Sequence, residues 1–217
     1  AAVNCIDFTR DGKRIATGSD DYTCLVHAMS TRKLIVTLST HTAKISSVAF
    51  TPDAKALATA SSDCTAHIYN TETWSVLHTV THEGYVTAVG FSPCSRYLAT
   101  CSRDAIAAIH NVKSGERMHI VVSHAKSVTG VAFSSGEGAP VMLATCSWDG
   151  STIIHDLLPL TEMPNAKDAI MMLKHLDEKE VAGILSSYPE FLYDNFSSSD
   201  GLCALQRLAL RGKGLAS

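Results

Sequence analysis

The chain has 217 residues, 46% hydrophobic and 18% charged, enough apolar side chains for a packed core and too many for wholesale disorder. Eighteen basic against twenty-one acidic residues give a net charge of −3 with no block of like charge, which excludes the clustered basic surface that nucleic-acid binding needs. No apolar run reaches the roughly 18 to 20 residues of a membrane span, and AAVNCIDFTR lacks the apolar stretch of a signal peptide.

Taken in chain order, four copies of one pattern appear. Each opens on an alternating apolar strand ending in Phe: VNCIDF, ISSVAF, VTAVGF and VTGVAF. Their phenylalanines, Phe8, Phe50, Phe91 and Phe133, stand 42, 41 and 42 residues apart. A turn follows, TRDG, TPDA, SPCS or the longer SSGEGAP, built from residues that tight turns select. Next comes a second strand, RIATGS, ALATAS, YLATCS or MLATCS, and a third, TCLVHA, TAHIYN, IAAIHN or STIIHD. A fourth is clearest as KLIVTL and SVLHTV. Four short strands in a unit of this length are the sequence signature of a propeller blade.

These copies resemble the WD-repeat family over Val3 to Leu157. The resemblance implies a hydrogen-bonded set in each blade: a His before the first strand, a hydroxyl in the second, an Asp in the next turn and a Trp in the third. The matching histidines are His41, His82 and His124, and the first copy has none. The hydroxyls are Thr17, Thr59, Thr100 and Thr145, each four residues before Asp21, Asp63, Asp104 and Asp149. Where the family has Trp, this chain carries His27, Tyr69, His110 and His155. All are rings with a possible donor, so a bond to the Thr hydroxyl is expected to survive. The dipeptide Trp148-Asp149 lies in a turn; His155-Asp156 holds the place of the dipeptide that names the family.

A His–Asp pair recurring in every blade behaves as a structural device, because an active site does not repeat with the fold. No phosphate loop, G-x-S-x-G or H-E-x-x-H is present, so neither catalytic residues nor a cofactor are expected. The strand histidines lie on separate blades, which argues against a metal site. Cys5, Cys24, Cys64, Cys94, Cys101, Cys146 and Cys203 are odd in number and none are spaced C-x-x-C; they read as small buried hydrophobes in a reducing compartment.

Family rings commonly have seven or eight blades, so four leave open edges. The expectation is a chain forming the latter part of a longer protein, with about three further blades and the closing strand supplied from upstream of Ala1. From Pro159 the two-residue period stops. The domains expected are blades over 1–158, a linker over 159–166, and an α-helical tail over 167–217. In the tail, Ala169, Ile170, Leu173 and Leu176 have helical spacing, Asp177 with Glu180 forms a capping box, and Val181, Ile184 and Leu185 make a second buried face. Asp200, Gly201, Ala204, Leu205, Ala209 and Gly212 resemble the ankyrin repeat, with Cys203 and Gln206 replacing its Thr and His; a plain helical hairpin is the alternative. An ankyrin reading implies further repeats beyond Ser217.

The fold class expected is therefore mainly β, part of a larger propeller, with a small ankyrin-like tail. Partner-binding candidates on the loop face are Lys44, Tyr85 and Lys126, which follow the blade histidines, and Arg103 and Trp148, which precede blade aspartates as Asp20 and Ser62 do. Trp74 is expected to pack along the blade rim, and the Ser135–Pro140 insertion to be a tolerated loop. The function expected is a non-catalytic scaffold binding other proteins in an intracellular, cytoplasmic assembly. A ubiquitin-ligase substrate receptor or signalling adaptor is one alternative, opposed by HAMS, YNTE, HNVK and HDLL, which lack the Arg of the receptors' Trp-Asp-x-Arg. An RNA-particle subunit is the other, opposed by the missing basic patch.

Overall fold

The computed structural model describes residues 1–121, 124–134 and 142–156. The chain divides into two compact units, Ala1–Asp156 and Leu157–Ser217. The second unit lies outside the described residues, and with it the linker over 159–166 and the ankyrin-like tail over 167–217. The Ser135–Pro140 insertion lies outside them too.

The first unit is four antiparallel sheets. Sheet one holds β1 (Val3–Phe8), β2 (Arg14–Ser19), β3 (Cys24–Ala28) and β4 (Leu34–Leu38). Sheet two holds β5 (Ile45–Phe50), β6 (Ala56–Ser61), β7 (Thr65–Asn70) and β8 (Val76–Thr81). Sheet three holds β9 (Val86–Phe91), β10 (Tyr97–Ser102), β11 (Ala107–Asn111) and β12 (Arg117–Val121). Sheet four, among the described residues, holds β13 (Val128–Phe133), β14 (Met142–Ser147) and β15 (Thr152–Asp156). Within each sheet the strands follow sequence order, the meander expected of a blade.

The turns repeat as closely as the strands. Left-handed backbone occurs at Gly12, Ala54 and Ser95 after the first strands, and at Tyr22, Cys64, Ala105 and Gly150 after the second. Arg32, Trp74 and Gly115 repeat it before the fourth. Seven of these ten residues are not glycine, so the turns hold them against their own steric preference.

The apolar core lies between sheets. One cluster joins Ala16, Cys24 and Val26 of sheet one to Ile45, Val48, Phe50, Leu57 and Tyr69 of sheet two. A second joins Ala58, Ala60 and Ile68 of sheet two to Val86, Val89 and Leu98 of sheet three. A polar stitch crosses every joint. In each blade the register between first and second strands slips at one residue, Asn4, Ser46, Thr87 or Thr129, a bulge that re-aims its side chain. Asn4 Nδ2 donates to the Ile45 carbonyl at 3.0 Å, Ser46 Oγ to Val86 at 2.5 Å and Thr87 Oγ1 to Val128 at 2.6 Å. Thr129 has no next blade among the described residues and donates to the Cys146 carbonyl of its own sheet.

The outer faces of blades one and four are open. Val3, Ile6 and Phe8 are 64%, 58% and 49% exposed, whereas their counterparts Ile45, Val48 and Phe50 are buried. Ile154 is 67% exposed, whereas Val26, Ile68 and Ile109 at the same place are 0%. Among the described residues the expectation that the cysteines are buried holds for Cys24 and Cys101 only, and Cys203 lies outside them. Cys94 is exposed because it sits in a turn, and Cys146 because it lies in the uncovered blade. Trp74 is half-buried against the core joining sheets one and two, with Arg14 over its ring at 5.9 Å.

Candidate functional site

The Asp-centred turns come first, because they position the exposed face. Ser19, Ser61, Ser102 and Ser147 end the second strands, and each Oγ accepts the N–H of the blade aspartate two residues on. The aspartate closes the turn by accepting from the N–H of Thr23, Thr65, Ile106 or Ser151. These are side-chain-to-backbone turns of the kind short polar residues favour.

In three blades the same aspartate holds the preceding histidine. His41 Nδ1 lies 2.8 Å from Asp63, His82 Nδ1 3.0 Å from Asp104 and His124 Nδ1 3.1 Å from Asp149. The opposite nitrogens meet Thr59, Thr100 and Thr145 at 2.7, 2.8 and 2.8 Å. The third-strand ring then completes the set: His110 Nε2 lies 3.2 Å from the Thr100 hydroxyl and His155 Nε2 3.0 Å from that of Thr145. Tyr69 bonds the Thr40 and Thr59 hydroxyls. With a neutral imidazole the donors run one way, from third-strand ring to Thr, from Thr to His, and from His to carboxylate. Blade one departs, as its missing histidine predicts. Asp21 is exposed and closes only its own turn, and neither Thr17 nor His27 makes a side-chain hydrogen bond among the described residues.

The electrostatics suit a structural role. Burial of His110 pushes its pKa down to about 4, and burial of His41 lowers that histidine too. His67, stacked on His41 at 4.3 Å, is pushed down to about 4 by burial and by its neighbour's charge. Burial tends to raise Asp63, yet Thr65, the Thr42 N–H and His41 hold its carboxyl at about 2. No buried side-chain polar atom among the described residues lacks a partner. A base whose two nitrogens are both engaged, beside a carboxylate already saturated, has no free lone pair for a substrate. Among the described residues no three His, Cys, Asp or Glu side chains are grouped to hold a metal ion.

The candidate binding residues lie where these turns meet the loops entering each blade. The N–H of Asp20, Ser62, Arg103 and Trp148 donates to the carbonyl of Ala2, Lys44, Tyr85 and Ser127 at 2.9 to 3.0 Å. Ser127 and not Lys126 is therefore the fourth-blade counterpart of Lys44 and Tyr85; the Lys126 carbonyl accepts from Ser147 Oγ instead. Three of the five candidates come together. Arg103 Cζ lies 5.1 Å from the centre of the Tyr85 ring and 5.4 Å from that of Trp148, so one cation lies over two exposed rings. Lys44 and Lys126 are exposed, and among the described residues neither makes a cation–ring contact or a side-chain hydrogen bond. Gly84 allows the loop to sit this close, since a Cβ there would stand 2.7 Å from the Asp104 backbone nitrogen.

The turn serines and the bulge residues were missed in the sequence. A signal for the serines was present, because all four second strands end in Ser two residues before the Asp. The bulge residues, Asn, Ser, Thr and Thr, share polarity but not identity.

The family model described as WD domain, G-beta repeat matches residues 1–27, 32–70, 74–111 and 115–156. No curated protein matches the chain. The matched stretches cover well over half the chain and follow the four sheets, each with its Asp-centred turn and three with the His–Thr–Asp set, and the chain accordingly belongs to the WD-repeat family.

Proposed function

We propose that the four blades are a non-catalytic platform for protein partners in a multiprotein assembly, with the loop face around Tyr85, Arg103 and Trp148 as the docking surface. The observation that carries this reading is the division of labour among polar side chains. The buried titratable histidines and their aspartates are consumed in holding the turns within each blade, while a large aromatic–cationic cluster stays exposed on one face. Trp, Tyr and Arg are the types that dominate interface energies, and Lys44 and Lys126 add charge on the same loops. The unpaired cysteines among the described residues accord with a reducing, cytoplasmic setting.

The open faces at Ile6 and Ile154 support a second part of the reading, that further blades from the protein's own upstream region complete a ring. The test is to purify the tagged protein from its own cells and quantify retained proteins by mass spectrometry, beside a Trp148→Ala variant. A fixed set of stoichiometric partners that falls about tenfold in the variant is expected, since truncating a central anchor of this kind costs more than about 1.4 kcal/mol. Retention unchanged by the substitution would move the docking surface elsewhere.

A further inference from the structure

The platform reading leaves open what the loop face recognises, and the surroundings of Arg103 narrow it. Arg103 is fixed by two blades. Its N–H donates to the Tyr85 carbonyl at 2.9 Å, its carbonyl accepts from Ser127 Oγ at 3.3 Å, and its guanidinium carbon lies over the rings of Tyr85 and Trp148. A ring attracts the cation without using up its N–H donors, and the Arg103 guanidinium makes no hydrogen bond among the described residues, so those donors are left for other partners.

No carboxylate of the described residues takes those donors. Asp104, the next residue, is held by His82, the Glu83 N–H and the Ile106 N–H. Asp149 is held by His124, the Ala125 N–H and Ser151. Glu83 is exposed, and among the described residues neither it nor Arg103 forms an ion pair. An exposed guanidinium held in place without an anion is a preorganised donor fork, and a carboxylate is the group whose geometry matches it.

We propose that the Tyr85–Arg103–Trp148 cluster binds an acidic side chain of a partner polypeptide, its carboxylate accepting from the Arg103 guanidinium while flanking apolar side chains cover the two rings. This rests on the platform reading and specifies the partner's chemistry. A single carboxylate suits the site better than a phosphate group. The cluster has one cation, and Glu83, two residues before Tyr85, opposes a doubly charged ligand. The exposed rings call for apolar neighbours on the ligand, so a polyacidic run is disfavoured as well.

The experiment immobilises peptides that differ only at their centre, Leu-Glu-Leu, Leu-Gln-Leu and Leu-phosphoSer-Leu in a Gly-Ser background, and measures binding of the full 217-residue chain at low and moderate salt. The Glu peptide should bind about tenfold better than the Gln peptide, with the difference shrinking as salt rises. Arg103→Lys keeps the charge but loses the fork, and should lose about as much. Lys55→Ala, on another turn, should bind as the native chain does, and a circular dichroism melt confirms that the variants fold. Equal binding of Glu and Gln peptides, or full binding by Arg103→Lys, overturns the proposal; tighter binding of the phosphoserine peptide overturns the choice of carboxylate. Partner retention separates this failure from failure of the platform. Partners lost in Trp148→Ala but kept in Arg103→Lys leave the platform standing without its acidic ligand, and partners kept in both remove both readings.

Discussion

His110 and His155 each present a ring nitrogen to a buried threonine, at 3.2 and 3.0 Å, where the family carries an indole N–H. The exchange keeps the donor and introduces a group that titrates. Burial holds His110 neutral, down to about 4, while an unfolded histidine titrates near 6.5, so between those values the unfolded chain binds the extra proton. Stability from this site is fully present above about pH 6.5 and is lost as pH falls toward about 4. His67 acts in the same window and direction. Below it Asp63, held at about 2, continues the loss from about pH 4 downward. The urea midpoint is therefore expected to drop between pH 6.5 and 4, and His110→Tyr, which installs the ring Tyr69 supplies in blade two, should flatten that limb. A limb of unchanged slope would show that His110 carries none of it. The His, Thr and Asp members of these sets were legible because their chemistry and spacing recur; the backbone match of Ser127 to Lys44 and Tyr85 was not, because it shows only in which carbonyl the turn N–H reaches.

The turns between second and third strands set the next scale. All four place a left-handed residue directly after the blade aspartate, and only Gly150 is free of the Cβ penalty. Ala105 has φ +68°, a conformation costing a non-glycine residue about 1–2 kcal/mol. Ala105→Gly is therefore expected to stabilise the chain by about 0.5–1 kcal/mol in equilibrium unfolding, although the same exchange inside a regular element destabilises. A loss of stability would mean that the aspartate cap, and not the backbone, sets the turn's energy. Strand positions agree with the sequence reading to within a residue, because alternation and turn chemistry point the same way. The bulges escaped that reading. A bulge breaks the two-residue period at the residue that stitches blades together, and a lone polar residue near a strand start reads as ordinary alternation.

Across the whole molecule the joints between blades matter more than the blades. A sheet buries little alone; the core clusters form where one blade's second and third strands meet the next blade's first strand. The same residue type therefore has opposite consequences along the chain. Ile68→Asp, in the joint between blades two and three, should cost more than about 4 kcal/mol and abolish cooperative melting, since it buries an unpaired charge. Ile154→Asp, at the matching place in blade four, should shift stability of the 217-residue chain by no more than about 0.5 kcal/mol. A large loss at Ile154 would indicate that this face is covered in solution. The blade count was legible from the 42-residue period, and what covers the two outer faces was not, because a repeat announces its neighbours without saying which molecule supplies them.

Each joint uses one vocabulary: a bulged polar side chain reaching a carbonyl, an apolar trio on the first strand, and a branched residue on the facing third strand. Thr129 and Ile154 at one end, and Val3, Ile6 and Phe8 at the other, are the two halves of that vocabulary left unspoken. Such a joint carries no address. The same kinds of residue recur from joint to joint, so the order of blades rests largely on the peptide bonds between them. The same anonymity allows blade one of one molecule to dock on blade four of another, a head-to-tail contact that ends in a closed ring if the rotation returns on itself and in a filament if it does not.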